Sequence, residues 1–195
     1  MHRFLPVLLV VTVVLAACGN PPTRSATPSP TRPAAPSPTT AAKPDPMVGW
    51  ARQFCGLDSQ LSTTQPEAPI QPIGPATAAD RRDLIDYLNQ AKALMSQARR
   101  AFAALSPAPT AAADAMLTSY RHSIDEALAN IEDDIPGTTK ASLATLDTYF
   151  TIDQLPLTLF QTDVLHTVST AVKAHPDLKL ALTGVPGCSV YTTGS

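Results

Sequence analysis

The chain has 195 residues, 44% hydrophobic and 15% charged, with 14 Lys and Arg against 16 Asp and Glu and a formal charge of −2. Four of its nine arginines come in pairs, Arg81 with Arg82 and Arg99 with Arg100, balanced by Asp80, Asp83 and Asp86. They do not spread along a basic face, so nucleic acid is not an expected partner.

At the N-terminus Met1, His2 and Arg3 form a short basic region, followed by an apolar run from Phe4 to Ala17 that only Pro6 and Thr12 interrupt. A bilayer-spanning helix needs about 20 apolar residues, and this run has roughly 14. A cationic front and a small-residue end make residues 1–17 a cleavable export signal. Leu15, Ala16, Ala17 and Cys18 resemble the lipobox of bacterial lipoprotein precursors. That resemblance covers only the first twenty or so residues. It implies cleavage before Cys18, a diacylglyceryl lipid on its sulfur, and a membrane anchor on the extracytoplasmic face. Removal of the signal takes Arg3 with it and leaves 13 basic against 16 acidic residues, a charge near −3.

The cysteine count agrees with this reading. Three cysteines in an exported chain leave one thiol over. Lipidation of Cys18 accounts for it, and Cys55 and Cys188 remain as a pair in an oxidising compartment, where a disulfide is expected. No CxxC motif or metal-ligand spacing is present, so neither a redox centre nor a metal site is expected at these cysteines.

Composition then changes. Gly19 to Pro46 is almost wholly Pro, Thr, Ser and Ala, with nine prolines and no aromatic or large aliphatic residue. Such a stretch cannot bury a core. Residues 18–45 are therefore expected to be a solvated linker, partly polyproline II, holding the following domain up to roughly 80 Å from the anchor at about 3.1 Å per residue.

Residues 46–195 suffice for one domain, and their periodicity is helical. A first helix starts with Asp45 as N-cap and Pro46 at N1, and carries Met47, Trp50, Phe54, Leu57 and Leu61 on one stripe, with Cys55 beside it. The second carries Leu84, Leu88, Ala91, Met95, Ala98, Phe102 and Leu105 at alternating steps of four and three. Thr77 and Asp80 cap its start, and Ser106 and Pro107 stop it. A third runs from about Thr110 to Ile131 on Leu117, Tyr120, Ile124, Leu128 and Ile131, and Pro136 with Gly137 ends it. A fourth starts near Thr138 with Leu143, Leu146 and Phe150, and a fifth follows Pro156 with Leu157, Phe160, Val164, Val168 and Val172. No stretch alternates with period two, so the expected fold is all-α, an antiparallel bundle of four to five helices. Asp177 to Leu182 reads as either a short helix begun by Pro176 or an extended piece. Gly184, Pro186 and Gly187 then bend the chain toward Cys188, whose pairing with Cys55 would pin the C-terminal end to the first helix.

Between the first two helices Pro66, Pro69, Pro72 and Pro75 recur every third residue, the period of polyproline II. The expectation is a stiff strap with the prolines on one stripe and Ile70 and Ile73 on another, turned inward. A connector spanning the bundle end is favoured over a cover for a ligand cavity.

Little chemistry converges. GxSxG, HExxH, P-loop and GxGxxG motifs are all absent, and no catalytic residue, metal or cofactor is expected. His122, His166 and His175 are scattered. His122 precedes Asp125 and Glu126, an arrangement compatible with an acid/base pair but read as solvated. Glu132, Asp133 and Asp134 lack calcium-loop spacing and read as a hydrated turn.

Ala-rich helices, Arg in preference to Lys, and a Pro/Thr spacer behind a lipobox resemble small membrane lipoproteins of high-GC actinobacteria, mycobacterial ones included. This implies an envelope location and a helical domain, and no substrate. The expected function is a non-enzymatic binding or interaction domain for an envelope protein, a glycan or a small apolar or lipid ligand. The alternative is an envelope hydrolase whose active site, built on residues such as His122 and Asp125, follows no recognised motif.

Overall fold

Six α-helices and one 3-10 turn account for most of residues 45–193, the part of the chain that the computed structural model describes, and no strand occurs among them. The expected export signal at residues 1–17, Cys18 and the expected linker as far as residue 44 lie outside the described residues.

Helix α1 spans Pro46–Thr63, and α2 Ala78–Ala103. Helix α3 spans Ala111–Lys140, and α4, Leu146–Ala174, follows a 3-10 turn at Leu143–Thr145. Two short helices close the chain, α5 at Pro176–Leu182 and α6 at Ser189–Thr192. The capping residues explain where the first three begin. Asp45 accepts a hydrogen bond from the Met47 amide at 2.8 Å, ahead of Pro46 at the start of α1. Thr77 accepts from the Asp80 amide while the Asp80 carboxylate accepts from the Thr77 amide at 2.7 Å, a reciprocal capping box. Thr110 caps α3 through the Ala113 amide.

The apolar stripes then bury where the periodicity places them. Leu84, Leu88, Ala91, Met95, Ala98 and Phe102 of α2 are buried, as is Leu105 just beyond its end. Helix α3 packs between α2 and α4, and short connections make the three helices run antiparallel. Helix α1 lies against α2 and α5, and α6 against α4. Five aromatic rings tie these layers together around Tyr120. Its centroid lies 4.4 Å from Phe102, 5.2 Å from Phe54 and 6.0 Å from Phe160, and Phe54 stacks on Trp50 at 5.5 Å. Arg121 adds a polar tie, donating from Nε and a terminal nitrogen to the Phe102 carbonyl at the end of α2.

Three expectations are corrected. The third helix does not stop at Pro136; it runs through that residue to Lys140, and the fourth does not start near Thr138. A proline inside a helix costs about 3 kcal/mol in propensity and a lost hydrogen bond. Against that cost, Ile131 and Thr138 are fully buried on either side of it, and Gly137 lets the Tyr149 ring approach so closely that a Cβ there would sit 3.2 Å from it. The fourth and fifth helices are likewise one helix, α4, with the buried Pro156 inside it. Leu143, assigned to the core, is exposed in the 3-10 turn, whereas Leu146 and Phe150 are buried.

The third correction concerns the strap. Ile70 and Ile73 point outward, 88% and 106% exposed, while Pro66, Pro69 and Pro72 are half-buried. With three residues per turn, the two stripes cannot both face the bundle. Pro69 lines a hollow together with Tyr87 and Phe150, while Pro75 is exposed. At the other end of the chain, Asp177 to Leu182 is helical, with Pro176 at the first position of α5.

Candidate functional site

Cys55 and Cys188 are joined in a disulfide, with Cα atoms 5.4 Å apart across 133 residues of sequence, and both cysteines are fully buried. The bond is built from two local features. Cys55 sits next to Phe54 on the inner side of α1, and Gly187, at φ +88°, turns the chain so that Cys188 meets it. A Cβ on Gly187 would lie 2.8 Å from the Cys55 carbonyl oxygen, so the approach requires glycine at this position on two grounds.

One turn beyond Cys55 lies a buried constellation of Asp58, Tyr120 and Tyr191. The Tyr120 hydroxyl donates to Asp58 Oδ1 at 2.6 Å and the Tyr191 hydroxyl to Oδ2 at 2.9 Å. The carboxylate thus links α1 to α3 and α6 beside the disulfide. Burial pushes the Asp58 carboxyl above the usual carboxylate range, and the two phenol hydrogen bonds oppose that shift only in part. Burial, with the neighbouring carboxylate, also raises both tyrosines. Sequence reasoning placed Tyr120 in the core and overlooked Asp58 and Tyr191. The signal was present: Asp58 falls four residues after Phe54 and three before Leu61, an acid on an otherwise apolar stripe.

Two clefts flank α1. The first runs between α1 and α2, with Leu57, Leu61, Leu94, Ala98 and Phe102 supplying its apolar surface and Gln60 and Gln97 its polar edge, in a volume of about 280 Å³. It continues past Leu57 and Ala101 toward Arg52, Gly56 and Leu105. Small side chains at Ala93, Ala98 and Ala101 keep α2 from filling this space. The second cleft, about 330 Å³, lies on the opposite side of α1, against α4 and α6. Asp58 and Tyr191 line it, together with Phe160, Val164, Leu165 and Val190.

The other residues singled out in the sequence do not come together. His122 is exposed and pairs with Glu126 at 3.2 Å, while Asp125 pairs with Arg99 at 2.9 Å. His166 and His175 are exposed on α4 and at its end. Glu132 reaches Lys92 at 3.0 Å, and burial beside Asp133 raises the Asp134 carboxyl. Among the described residues no three His, Cys, Asp or Glu side chains are grouped so as to hold a metal ion. A buried hydroxyl not foreseen in the sequence, Ser123, donates to Asp163 across α3 and α4. No helix among the described residues is long and apolar enough to cross a membrane. Comparison with protein families, characterised proteins and solved structures finds no match to this chain.

Proposed function

We propose that this protein is an envelope lipoprotein, anchored through lipid on Cys18, whose helical domain shelters a small apolar ligand in the cleft between α1 and α2. The observation that carries the reading is the shape and lining of that cleft. Its volume of about 280 Å³ is near the lower end of ordinary ligand sites, and its apolar floor with a few polar groups at the edge is the usual composition of such sites. Its continuation toward Leu105 suits an elongated molecule, such as a short acyl chain, over a compact polar one.

The anchor rests on the residues of the export signal and of the lipobox-like Leu15 to Cys18. The Cys55–Cys188 disulfide supports export, since such bonds persist in oxidising compartments. An actinobacterial origin is favoured by the composition alone.

Two experiments test the two halves of the reading. Cys18→Ala is expected to abolish metabolic lipid labelling and to release the protein from membranes; unchanged membrane association would overturn the anchor. Native mass spectrometry of the full chain purified from its native envelope is expected to show, beyond the lipid on Cys18, a bound apolar molecule that Ala98→Trp, which fills the cleft, excludes. A clean apo mass in protein isolated from its native envelope, or a ligand indifferent to Ala98→Trp, would overturn the ligand site.

A further inference from the structure

The second cleft has a property the first lacks, a buried carboxyl group with no basic partner. Asp58 is 6% exposed, and among the described residues no Lys, Arg or His forms an ion pair with it. Its two partners, Tyr120 and Tyr191, are neutral donors, one to each oxygen. A carboxylate oxygen has room for more than one hydrogen bond, so acceptor capacity remains on both. An ionised group removed from water and left unpaired is costly, and a cation brought to it restores what burial has removed.

The surroundings restrict what that cation can be. Asp58 and Tyr191 line a cleft with the apolar side chains of Phe160 and Val164 and, at its rim, Leu165 and Val190; Ser59, Ser62, Thr63 and Gln161 are its uncharged polar groups. The last two are 42% and 53% exposed, large apolar groups left facing solvent. None of the lining residues of α4 and α6 is basic. A hydrated metal ion would find one carboxylate and no further anionic ligand here. An ammonium group on a compact apolar body matches both features at once.

We propose that the cleft between α1, α4 and α6 is a binding site for apolar primary amines, with Asp58 as counter-ion to the ammonium group and Phe160, Val164, Leu165 and Val190 holding the hydrocarbon body. Tyr120 and Tyr191 position the carboxylate and keep its oxygens at a fixed orientation. The site is separate from the α1–α2 cleft, since α1 contributes Leu57, Gln60, Leu61 and Thr64 to the one and Asp58, Ser59, Ser62 and Thr63 to the other.

The test compares two probes of matched shape, cyclohexylmethylammonium and cyclohexylmethanol, by titration calorimetry at neutral pH on the full chain reconstituted in nanodiscs, with empty nanodiscs subtracted. The ammonium probe is expected to bind at least tenfold more tightly than the alcohol. Asp58→Asn, which keeps an oxygen acceptor and removes the charge, should reduce the ratio to near one. Val190→Trp, a change at the exposed rim that leaves the buried network untouched, should weaken binding of the ammonium probe by tenfold or more, so the proposal remains testable even if Asp58→Asn impairs folding. Equal affinity for the two probes, a preference that survives Asp58→Asn in folded protein, or ammonium binding indifferent to Val190→Trp would each overturn it.

Discussion

Replacing Tyr120 with Phe removes one oxygen atom from the centre of the bundle and leaves the ring in place. The ring is fully buried, in contact with Phe54, Phe102 and Phe160, and Phe fills the same volume. The loss is therefore confined to the 2.6 Å hydrogen bond to Asp58. A hydrogen bond to a charged group contributes about 1.5–3 kcal/mol net, and the buried carboxylate loses one of its two phenol partners. We expect Tyr120→Phe to lower stability by about 2–3 kcal/mol, or roughly 5–10 °C in Tm for a domain of this size. Tyr191→Phe should cost less, about 1 kcal/mol, because Asp58 and Tyr191 both line the cleft, from which water can replace the lost donor. Asp58→Asn removes the charge that must be desolvated, and the double variant Asp58→Asn with Tyr120→Phe should fall short of the summed losses by about 1 kcal/mol or more. The assay is urea unfolding at neutral pH with the disulfide intact, run as a double-mutant cycle. A loss below about 0.5 kcal/mol for Tyr120→Phe, or strict additivity in the cycle, would refute the assignment of a charged, buried acceptor.

Acidification provides a second measurement. The carboxyls of Asp58 and Asp134 are raised from 3.8 in the folded protein, so the native state holds protons there that the unfolded chain has released. Their contribution is complete below 3.8 and is lost as pH rises through the raised values; Asp80, lowered by its Thr77 hydrogen bonds, works the other way below 3.8. Urea midpoints across this range should show Asp58→Asn flattening the decline in stability above 3.8, and an unchanged slope would exclude Asp58 as its source. Replacing both cysteines with alanine opens a loop of 133 residues and should cost about 5 kcal/mol on the chain-entropy account, measured by the shift in urea midpoint; a loss under about 2 kcal/mol would mean that α6 stays docked in the unfolded reference or contributes little. Gly187→Ala should cost about 2–3 kcal/mol, since a left-handed φ of +88° combines with contacts at 2.8 Å to the Cys55 oxygen and 3.0 Å to Ser59 Cβ. Gly184→Ala, with φ +79° and open space around it, should cost clearly less, and equal losses would show that the close approach carries no weight.

The helices were legible in the sequence where one local rule acted alone. In α2 the capping box, the unbroken four-and-three spacing and the Ser106–Pro107 stop agree, and every residue of the stripe is buried. The sequence misled at Pro136 and Pro156, where proline propensity opposes packing. An intrinsic penalty of about 3 kcal/mol ends an isolated helix, but burial of a Leu, Ile or Phe side chain contributes about 1.5–3 kcal/mol each. Ile131 and Thr138 around the first proline, and Leu157 and Phe160 after the second, are all buried against neighbouring helices. Those neighbours come from distant parts of the chain, so no window around the proline reveals them. The strap failed for a related reason: a period assigns residues to stripes without saying which stripe meets the bundle.

The site was less legible than the fold, because its polar atoms converge from positions 62 and 133 residues away from Asp58. Tyr120 was recognisable as a core residue from helical spacing, but a phenol at a core position is equally consistent with a hydroxyl that reaches water. What separates the two is whether an acceptor faces it, and the acceptor lies on another helix. Asp58 itself was the readable anomaly. An acid flanked at minus four by Phe54 and at plus three by Leu61 sits on the buried face of α1, and buried carboxylates are rare unless something satisfies them. Cys55, three residues earlier, supplies the second half of that inference. A disulfide from the same face draws the segment that follows Cys188 onto α1, and Tyr191 is the hydroxyl-bearing side chain that this segment delivers. The covalent bond and the hydrogen bond therefore form one device: the disulfide sets the position of α6, and α6 in turn completes both the carboxylate's partners and the wall of the cleft in which that carboxylate lies.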